Sequence, residues 1–589
     1  MCGISGIRSF ADGDPRAFAI AMAERLKHRG PDDDGIFVDG DLALSFRRLS
    51  IIDLSRAGAQ PMTSASGRFV MIFNGEVYNH LRLRDELPPQ EWRGHSDTEV
   101  MLACIEAWGV EGAIERFIGM FAFALWDRVE RKLTLVRDRL GVKPLYYAQS
   151  ATSFQFASEL KALHVDRTID QGAVALYTRY GYVPAPFSIY RGVRKLPPGC
   201  MLTLSADGRV DVRSYWNAAR VAERVERFRG SEADAIERLD ALLSDAVRLR
   251  MIADVPLGLF LSGGVDSSIV AAHMQRAQSA PISTFTIGFE DRRFDEAPYA
   301  AAVAKHLGTD HHEQYISIDD ALNTIPKLGA IYDEPFGDSS AIPTLLVSRM
   351  ARPNVTVALS GDGGDELFGG YHRYFLGARN TRRVKRVPRG LRKPIGRAMR
   401  RMPRFAGVAQ ALVLDDPIEV FLRQVGSDDL LTPAEVPAFV LTERTAWPQL
   451  DDPVELMMVL DAMSYLPDDI LTKVDRASMS VSLETREPLL DHRLVEFAWS
   501  LPLSMKIRDD RGKWILRQAL QRDLPERLVE REKQGFGLPV AEWLHGPLRD
   551  WSESLLEKVE HFDRGQIRND QALWRVLMFQ QWLATIAAP

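Results

Sequence analysis

The apolar run Val255–Leu261 enters the turn Ser262-Gly263-Gly264-Val265-Asp266-Ser267-Ser268, and a helical segment follows to Gln278. A short apolar run bounded by glycine reads as a buried strand, and the unit as a whole reads as strand, turn, helix. The pattern repeats around it. Ala235–Met251 carries Ile236, Leu239, Leu242, Leu243 and Val247 on one helical face, and Ile282–Phe289 and Val355–Leu359 are further strand candidates. Alternating strands and helices predict an α/β domain built on a doubly wound parallel sheet. Beyond Pro453 the pattern is mostly helical, a helical tail to that domain.

The first two hundred residues read differently. Phe69–Phe73, Leu133–Val136 and Met201–Leu204 are short strand-like runs, separated by turn signals at Ala11–Asp14, Asn74-Gly75 and Pro197–Gly199. Helices interrupt them, for example from Asp97 to Trp108, with Ser96 or Asp97 as the cap. This predicts a layered α+β domain. A chain of 589 residues exceeds what a single core supports. The charged, weakly periodic stretch 217–234 is the expected linker, dividing residues 1–216 from 235–589.

The longest apolar run, Phe117–Trp126, is about half a membrane span, so no integral membrane segment is expected. No secretory leader is visible, and three cysteines supply neither a disulfide framework nor zinc spacing, so a cytoplasmic setting is expected. A net charge of −6 argues against nucleic acid as a partner. One segment departs from that balance. No acidic residue occurs from Leu367 to Leu414, and residues 373–404 are strongly basic: a solvated excursion, or a dock for an anionic partner or membrane surface.

Three sites carry chemistry. Cys2, once Met1 is removed, holds a thiol and a free α-amine together, and an amine with a pKa of roughly 7.7–8.0 can take the thiol proton. The turn at Ser262–Ser268 offers two glycines, hydroxyls and helix N-terminal amides to a phosphate. It lacks the Gly-Lys-Ser/Thr ending of a Walker A loop, and Asp266 within it calls for a bridging Mg²⁺. Ser360-Gly361-Asp362-Gly363-Gly364-Asp365-Glu366 follows a predicted strand and so belongs at the same sheet edge, its three carboxylates requiring a cation or substrate.

The Ser262–Ser268 string resembles the pyrophosphate loop of the ATP pyrophosphatase family. With Cys2-Gly3-Ile4, Arg29-Gly30-Pro31-Asp32, Arg48–Asp53, Asn74–Asn79 and Ser96–Glu99, nearly the whole chain resembles class II glutamine amidotransferases of the glutamine-hydrolysing asparagine synthetase type. The resemblance implies an N-terminal four-layer αββα glutaminase of the Ntn-hydrolase kind. It implies Cys2 as nucleophile, Asn74 and Gly75 as the oxyanion hole, and Arg48, Asn74, Glu76 and Asp97 as glutamine-binding residues. In the second half it assigns Leu261, Ser262, Gly263, Gly264, Asp266, Ser267, Ser268, Ile287, Ser360 and Gly361 to ATP, and Asp266 and Asp365 to Mg²⁺. Asp362 and Lys533 become catalytic, and Ser339, Ser340 and Glu366 bind the acceptor. Lys473, Asp475, Arg476, Glu484 and Arg486 become supporting residues; the resemblance gives His311 and His312 no role, and core or capping positions suit them better than metal binding. The implied reaction moves ammonia from glutamine through an internal channel to an adenylated carboxylate. A homodimer is a candidate assembly.

Two departures bear on the acceptor. Position 362 is Asp where asparagine synthetases have Glu, and Ile342 stands where aspartate-binding versions carry an arginine. Aspartate is the expected acceptor; another carboxylate, such as a sugar uronate in surface-glycan assembly, is the alternative.

Overall fold

The computed structural model describes residues 2–587 apart from 11–12, 385, 400–405, 428–431, 433, 531–536, 558, 563–564, 566 and 568. Within them, residues 3–214 form two six-stranded antiparallel sheets. In the first, Gly3–Ser9 is an inner strand, with Leu42–Arg48 on one side and Ser153–Ala157 on the other. Register Gly3↔Arg47 sets Cys2 at the sheet edge beside the end of the Leu42–Arg48 strand. In the second, Phe69–Val77 pairs with Gly119–Asp127 along its full length.

Alternation explains the stacking. Ile4, Leu42, Leu44 and Phe46 face Val70, Ile72, Ala122, Ala124 and Leu135 across the gap between the sheets, forming one core. The opposite faces are also apolar. Ile7 and Ala43 pack under helices Pro15–Glu24 and Gln171–Tyr180, while Met71, Phe73, Phe121 and Phe123 pack under Asp97–Arg116. The order is therefore helix, sheet, sheet, helix, the expected four layers. Fully burying each such large side chain is worth roughly 1.5–3 kcal/mol, so the order follows from which faces are apolar.

The second half carries five parallel strands, in the order Asp310–Ile316, Ser283–Phe289, Leu257–Phe260, Val357–Leu359, Glu484–Arg486. Leu259, Val357 and Leu359 share a core with Glu232–Arg250 and Val265–Ala277. Phe285, Ile287 and Ala358 face Ile318–Tyr332 and Ala341–Ala351. Helices thus cover both faces, as the alternation predicts. The strand order reverses between Leu257–Phe260 and its two neighbours, so the loops after Phe260 and Leu359 flank a crevice at the carboxyl edge.

Three local expectations differ. Asn74-Gly75 is not a turn but lies inside the strand Phe69–Val77. Glycine is required there by close approach: φ is +146°, and a Cβ would sit 2.0 Å from the Met120 carbonyl oxygen. The stretch 217–234 holds the helix Ala218–Arg224 and the start of Glu232–Arg250, which Ser231 and Asp234 cap reciprocally. The strand Glu484–Arg486 has no alternating pattern, because it is three residues long and buried throughout.

Candidate functional site

Two sites emerge. At the first, the backbone N–H of Cys2 donates to Asn74 Oδ1 at 3.0 Å. That bond turns the amide so that Nδ2, fully buried, has no hydrogen-bond partner among the described residues. Glu76 lies two residues on, hence on the same face of the strand, and its Oε2 is likewise buried without a partner. A donor and an acceptor, both desolvated and both unsatisfied, are costly unless a ligand completes them. Cys2 Sγ sits 4.0 Å from the Leu49 carbonyl. Burial pushes the thiol above its ordinary value, while the Arg48 guanidinium pulls it down. The thiol therefore needs a base to become a nucleophile.

Asp97 opens the helix Asp97–Arg116, with Ser96 as its cap, and its Oδ2 accepts the Val77 N–H at 2.9 Å. Burial raises the Glu76 carboxyl well above its usual range, and Asp97 raises it further. Two buried carboxylates side by side favour a cationic ligand group. Arg48 donates Nη1 to the Ser55 carbonyl at 3.0 Å and Nη2 to that of Asp53. Cys2, Arg48, Asn74, Gly75, Glu76 and Asp97 thus gather from four separate stretches of sequence.

At the second site the loop after Leu257–Phe260 is tied internally. Ser267 Oγ accepts from Ser262 N at 3.1 Å and lies 3.0 Å from Ser262 Oγ, while Ser262 Oγ accepts from Gly264 N at 3.2 Å. Gly263 has φ +70°, which only glycine adopts cheaply. Ser268 Oγ is buried with no partner among the described residues, one turn into the helix Val265–Ala277. Leu261 donates its N–H to Phe285, and Thr286 Oγ1 donates to the Leu261 carbonyl, placing Ile287 alongside. The loop after Leu359 touches this one. A Cβ on Gly361 would lie 2.6 Å from Ser267 N, and one on Gly364 would lie 2.4 Å from Asp266 Cγ.

Asp266 and Asp365 meet on one cation, the ammonium of Lys513, which bonds Asp266 and lies 2.7 Å from Asp365. Burial lowers the Lys513 pKa, but the two carboxylates overcome it and hold the group charged. Sequence reasoning missed Lys513: it belongs to no motif, and its partners lie far away in the chain. Two carboxylates already arranged for shared positive charge fit Mg²⁺, which takes few protein oxygens and completes its shell from water and phosphate. Lys533 lies outside the described residues.

Of the residues expected at the acceptor, Ser340 joins Asp338, Lys473 and Asp362 in one cluster, and Glu366 lies apart with Tyr371. Ser340 Oγ donates to Asp338 at 2.8 Å, and Lys473 Nζ donates to both Asp338 Oδ2 and Ser340 Oγ at 2.8 Å. Lys473 also acts on Asp362, whose Oδ2 accepts from Ser360 Oγ at 2.8 Å; burial raises the Asp362 carboxyl and Lys473 opposes this. Glu366 accepts from Tyr371 at 2.8 Å, and burial with the adjacent Asp365 brings it to about 7. Ser339 is half-buried beside Ser340. Ile342 is buried in the apolar core of the Ala341–Ala351 helix. Lys473, expected as support, stands at the centre of this cluster.

The remaining supporting residues join the halves. Asp475 receives Arg29 Nη1 and Nη2 at 2.9 and 3.1 Å, and Arg29 Nε donates to the Cys2 carbonyl at 3.1 Å. Arg476 pairs with Glu159 at 3.0 Å, and Arg486 with Glu76 at 3.3 Å and Glu484 at 2.5 Å. His312 stacks on Phe285, and His311 Nδ1 lies 3.0 Å from Thr284 Oγ1.

Comparison with known proteins finds matches in both halves of the chain. The family model described as asparagine synthase matches residues 238–584, and the one described as glutamine amidotransferase domain matches residues 1–216. Asparagine synthetase [glutamine-hydrolyzing] 1 of Bacillus subtilis (strain 168) is 31% identical, over 99% of this chain and 96% of its own length. Asparagine synthetase [glutamine-hydrolyzing] 3 of the same organism is 31% identical over 97% and 93%. The amidase chyE of Penicillium rubens is 28% identical over 95% and 92%. On these matches across both halves, the chain belongs to the asparagine synthase family and carries a glutamine amidotransferase domain at its N-terminal end.

Proposed function

We propose that the protein is a glutamine-hydrolysing asparagine synthetase: ATP, L-aspartate, L-glutamine and water give AMP, pyrophosphate, L-asparagine and L-glutamate. The observation that carries the reading is the pairing of Cys2 with Asn74, which leaves a buried amide N–H unpaired beside a buried thiol. A carbonyl oxygen acquiring charge is the partner that such a donor lacks.

Cys2, freed of Met1, gives its proton to its own α-amine, and Sγ attacks the side-chain carbonyl carbon of glutamine. Asn74 Nδ2 and the Gly75 N–H stabilise the oxyanion. Ammonia leaves, and water then releases glutamate from the thioester. Arg48 orients the glutamine α-carboxylate, and Asp97 with Glu76 its α-ammonium.

In the second half Ser262–Ser268, Ile287 and Ser360-Gly361 bind ATP. Asp266 and Asp365 would hold Mg²⁺, whose chemistry there is to offset phosphate charge. Lys513 supplies a fixed positive charge at the same carboxylates. The acceptor, lying against Ser339, Ser340 and Glu366, attacks the α-phosphorus through its carboxylate oxygen and pyrophosphate departs. Ammonia then attacks the acyl carbon and AMP leaves. Asp362 takes a proton from the incoming ammonia, and Lys533, by the resemblance, steadies negative charge. The acid-rich cluster suits an acceptor with an α-ammonium, so aspartate is favoured over a uronate.

Replacing Cys2 with Ala tests the reading. The variant should hydrolyse no glutamine yet form asparagine when ammonium salt replaces it. Retained glutaminase activity would exclude Cys2 as nucleophile.

A further inference from the structure

Asp53 is 1% exposed and holds φ at +55°, a backbone conformation that a residue with a side chain keeps only where its surroundings over-determine it. Each of its polar groups is taken. Its Oδ1 accepts the Ser55 N–H at 3.2 Å and the Ser55 hydroxyl, and its Oδ2 accepts the His95 N–H at 2.9 Å. The Gly94 backbone is pressed against the same carboxylate, since a Cβ there would stand 2.0 Å from Oδ2. The Asp53 carbonyl accepts from Arg48 Nη2, and its N–H donates to Asp254 Oδ2 at 2.8 Å. Asp53 therefore joins Arg48 to the segment 94–97, which ends on Asp97. Asp254 belongs to the other half of the chain, shortly before the strand Leu257–Phe260. Its own N–H donates to the Ile51 carbonyl at 2.9 Å, and its Oδ2 also lies 2.8 Å from His95 Nε2.

We propose that Asp254 is a positioning residue for glutamine: one carboxylate oxygen from the synthetase half, acting through Asp53 and His95, fixes Arg48 and Asp97 relative to each other without touching the substrate. The inference rests on the reading that Arg48 and Asp97 hold the α-carboxylate and α-ammonium of glutamine. Those two groups sit on one carbon, so their partners must keep a fixed separation, and a shift of about 1 Å in either is costly. Stability alone does not account for the arrangement. The His95 and Asp254 side chains are 56% and 41% exposed, and an ion pair so exposed contributes little to folding. The remaining bonds run to main-chain groups, Asp53 N, the Ile51 carbonyl and, through Asp53, His95 N. They set where the two glutamine-holding segments lie.

The test is steady-state kinetics of the full chain with glutamine or an ammonium salt as nitrogen donor. Asp254→Ala should raise the KM for glutamine about tenfold or more, with kcat for glutamine hydrolysis and ammonia-dependent synthesis both within about twofold of the parent protein. Asp254→Asn keeps a side-chain oxygen that can accept the Asp53 N–H, and should recover most of the lost affinity. Thermal unfolding of both variants should match the parent. An unchanged glutamine KM in Asp254→Ala overturns the proposal, as does a parallel loss with both nitrogen donors, which marks a role in the fold alone. Arg48→Ala separates the inference from the reading beneath it. If that variant raises the glutamine KM and Asp254→Ala does not, only the inference falls; if Arg48→Ala leaves the KM unchanged, the glutamine-binding reading falls and takes the inference with it.

Discussion

Arg486 reaches Glu76 across the two halves of the molecule, at 3.3 Å, while its own main-chain carbonyl accepts the Ser360 N–H at 2.9 Å. One residue thus touches the strand that carries Asn74 and the loop that carries Gly361 and Asp362. The contact is buried, so its loss leaves a charge without compensation. Arg486→Met should lower stability by about 3–5 kcal/mol. Arg486→Lys keeps the charge but loses the planar fork, and should raise the KM for glutamine while ammonia-dependent synthesis persists. Steady-state kinetics with each nitrogen donor reads the difference. Equal losses with both donors would mean that Arg486 serves only the fold.

Asn74 is the most specific test of the first site. Asn74→Ala removes the unpaired Nδ2 and should cut kcat for glutamine hydrolysis about 10²–10³-fold. Glutamine KM should move far less. A change mainly in KM would place Asn74 in ground-state binding instead.

Lys513 is the corresponding test of the second. Lys513→Gln leaves Asp266 and Asp365 facing each other without their shared cation. Pyrophosphate release should fall at least about tenfold while glutaminase activity is retained, and the Mg²⁺ concentration for half-maximal activity should shift. An unchanged Mg²⁺ dependence and an unchanged rate would remove Lys513 from the site.

Much of this architecture is legible in the sequence, for identifiable reasons. The parallel sheet follows from apolar runs alternating with helical periods, and the nucleotide loop from its glycines and hydroxyls. Asn74-Gly75 misleads because glycine serves turns and close backbone approach alike, and only the neighbouring Met120 carbonyl distinguishes them. Lys513 is silent because it is an isolated lysine, separated in sequence from Asp266 and Asp365 and surrounded by no pattern. The ties Arg29–Asp475 and Arg486–Glu76 escape for the same reason, each joining residues more than four hundred positions apart.

Glu487 supplies a pH signature. Burial holds its carboxyl at about 7, with Lys143 opposing and Asp362 reinforcing, against an ordinary value of 4.5. The folded state therefore retains a proton that the unfolded chain releases, so this group's contribution to stability is complete below about pH 4.5 and lost as pH rises through about 7. Glu487→Gln cannot ionise. Denaturant unfolding at pH 5 and pH 7.5 should find the variant gaining on the parent at the higher pH, by up to about 3 kcal/mol. A difference independent of pH would remove Glu487 as the source.

The central claim is that aspartate is the carboxylate activated. The direct measurement is pyrophosphate release with glutamine and Mg-ATP, across aspartate and other acids including uronates, with asparagine quantified in the same samples. Pyrophosphate and asparagine should appear in equal amounts when aspartate is present. Aspartate yielding no more pyrophosphate than buffer, while another acid does, would contradict it.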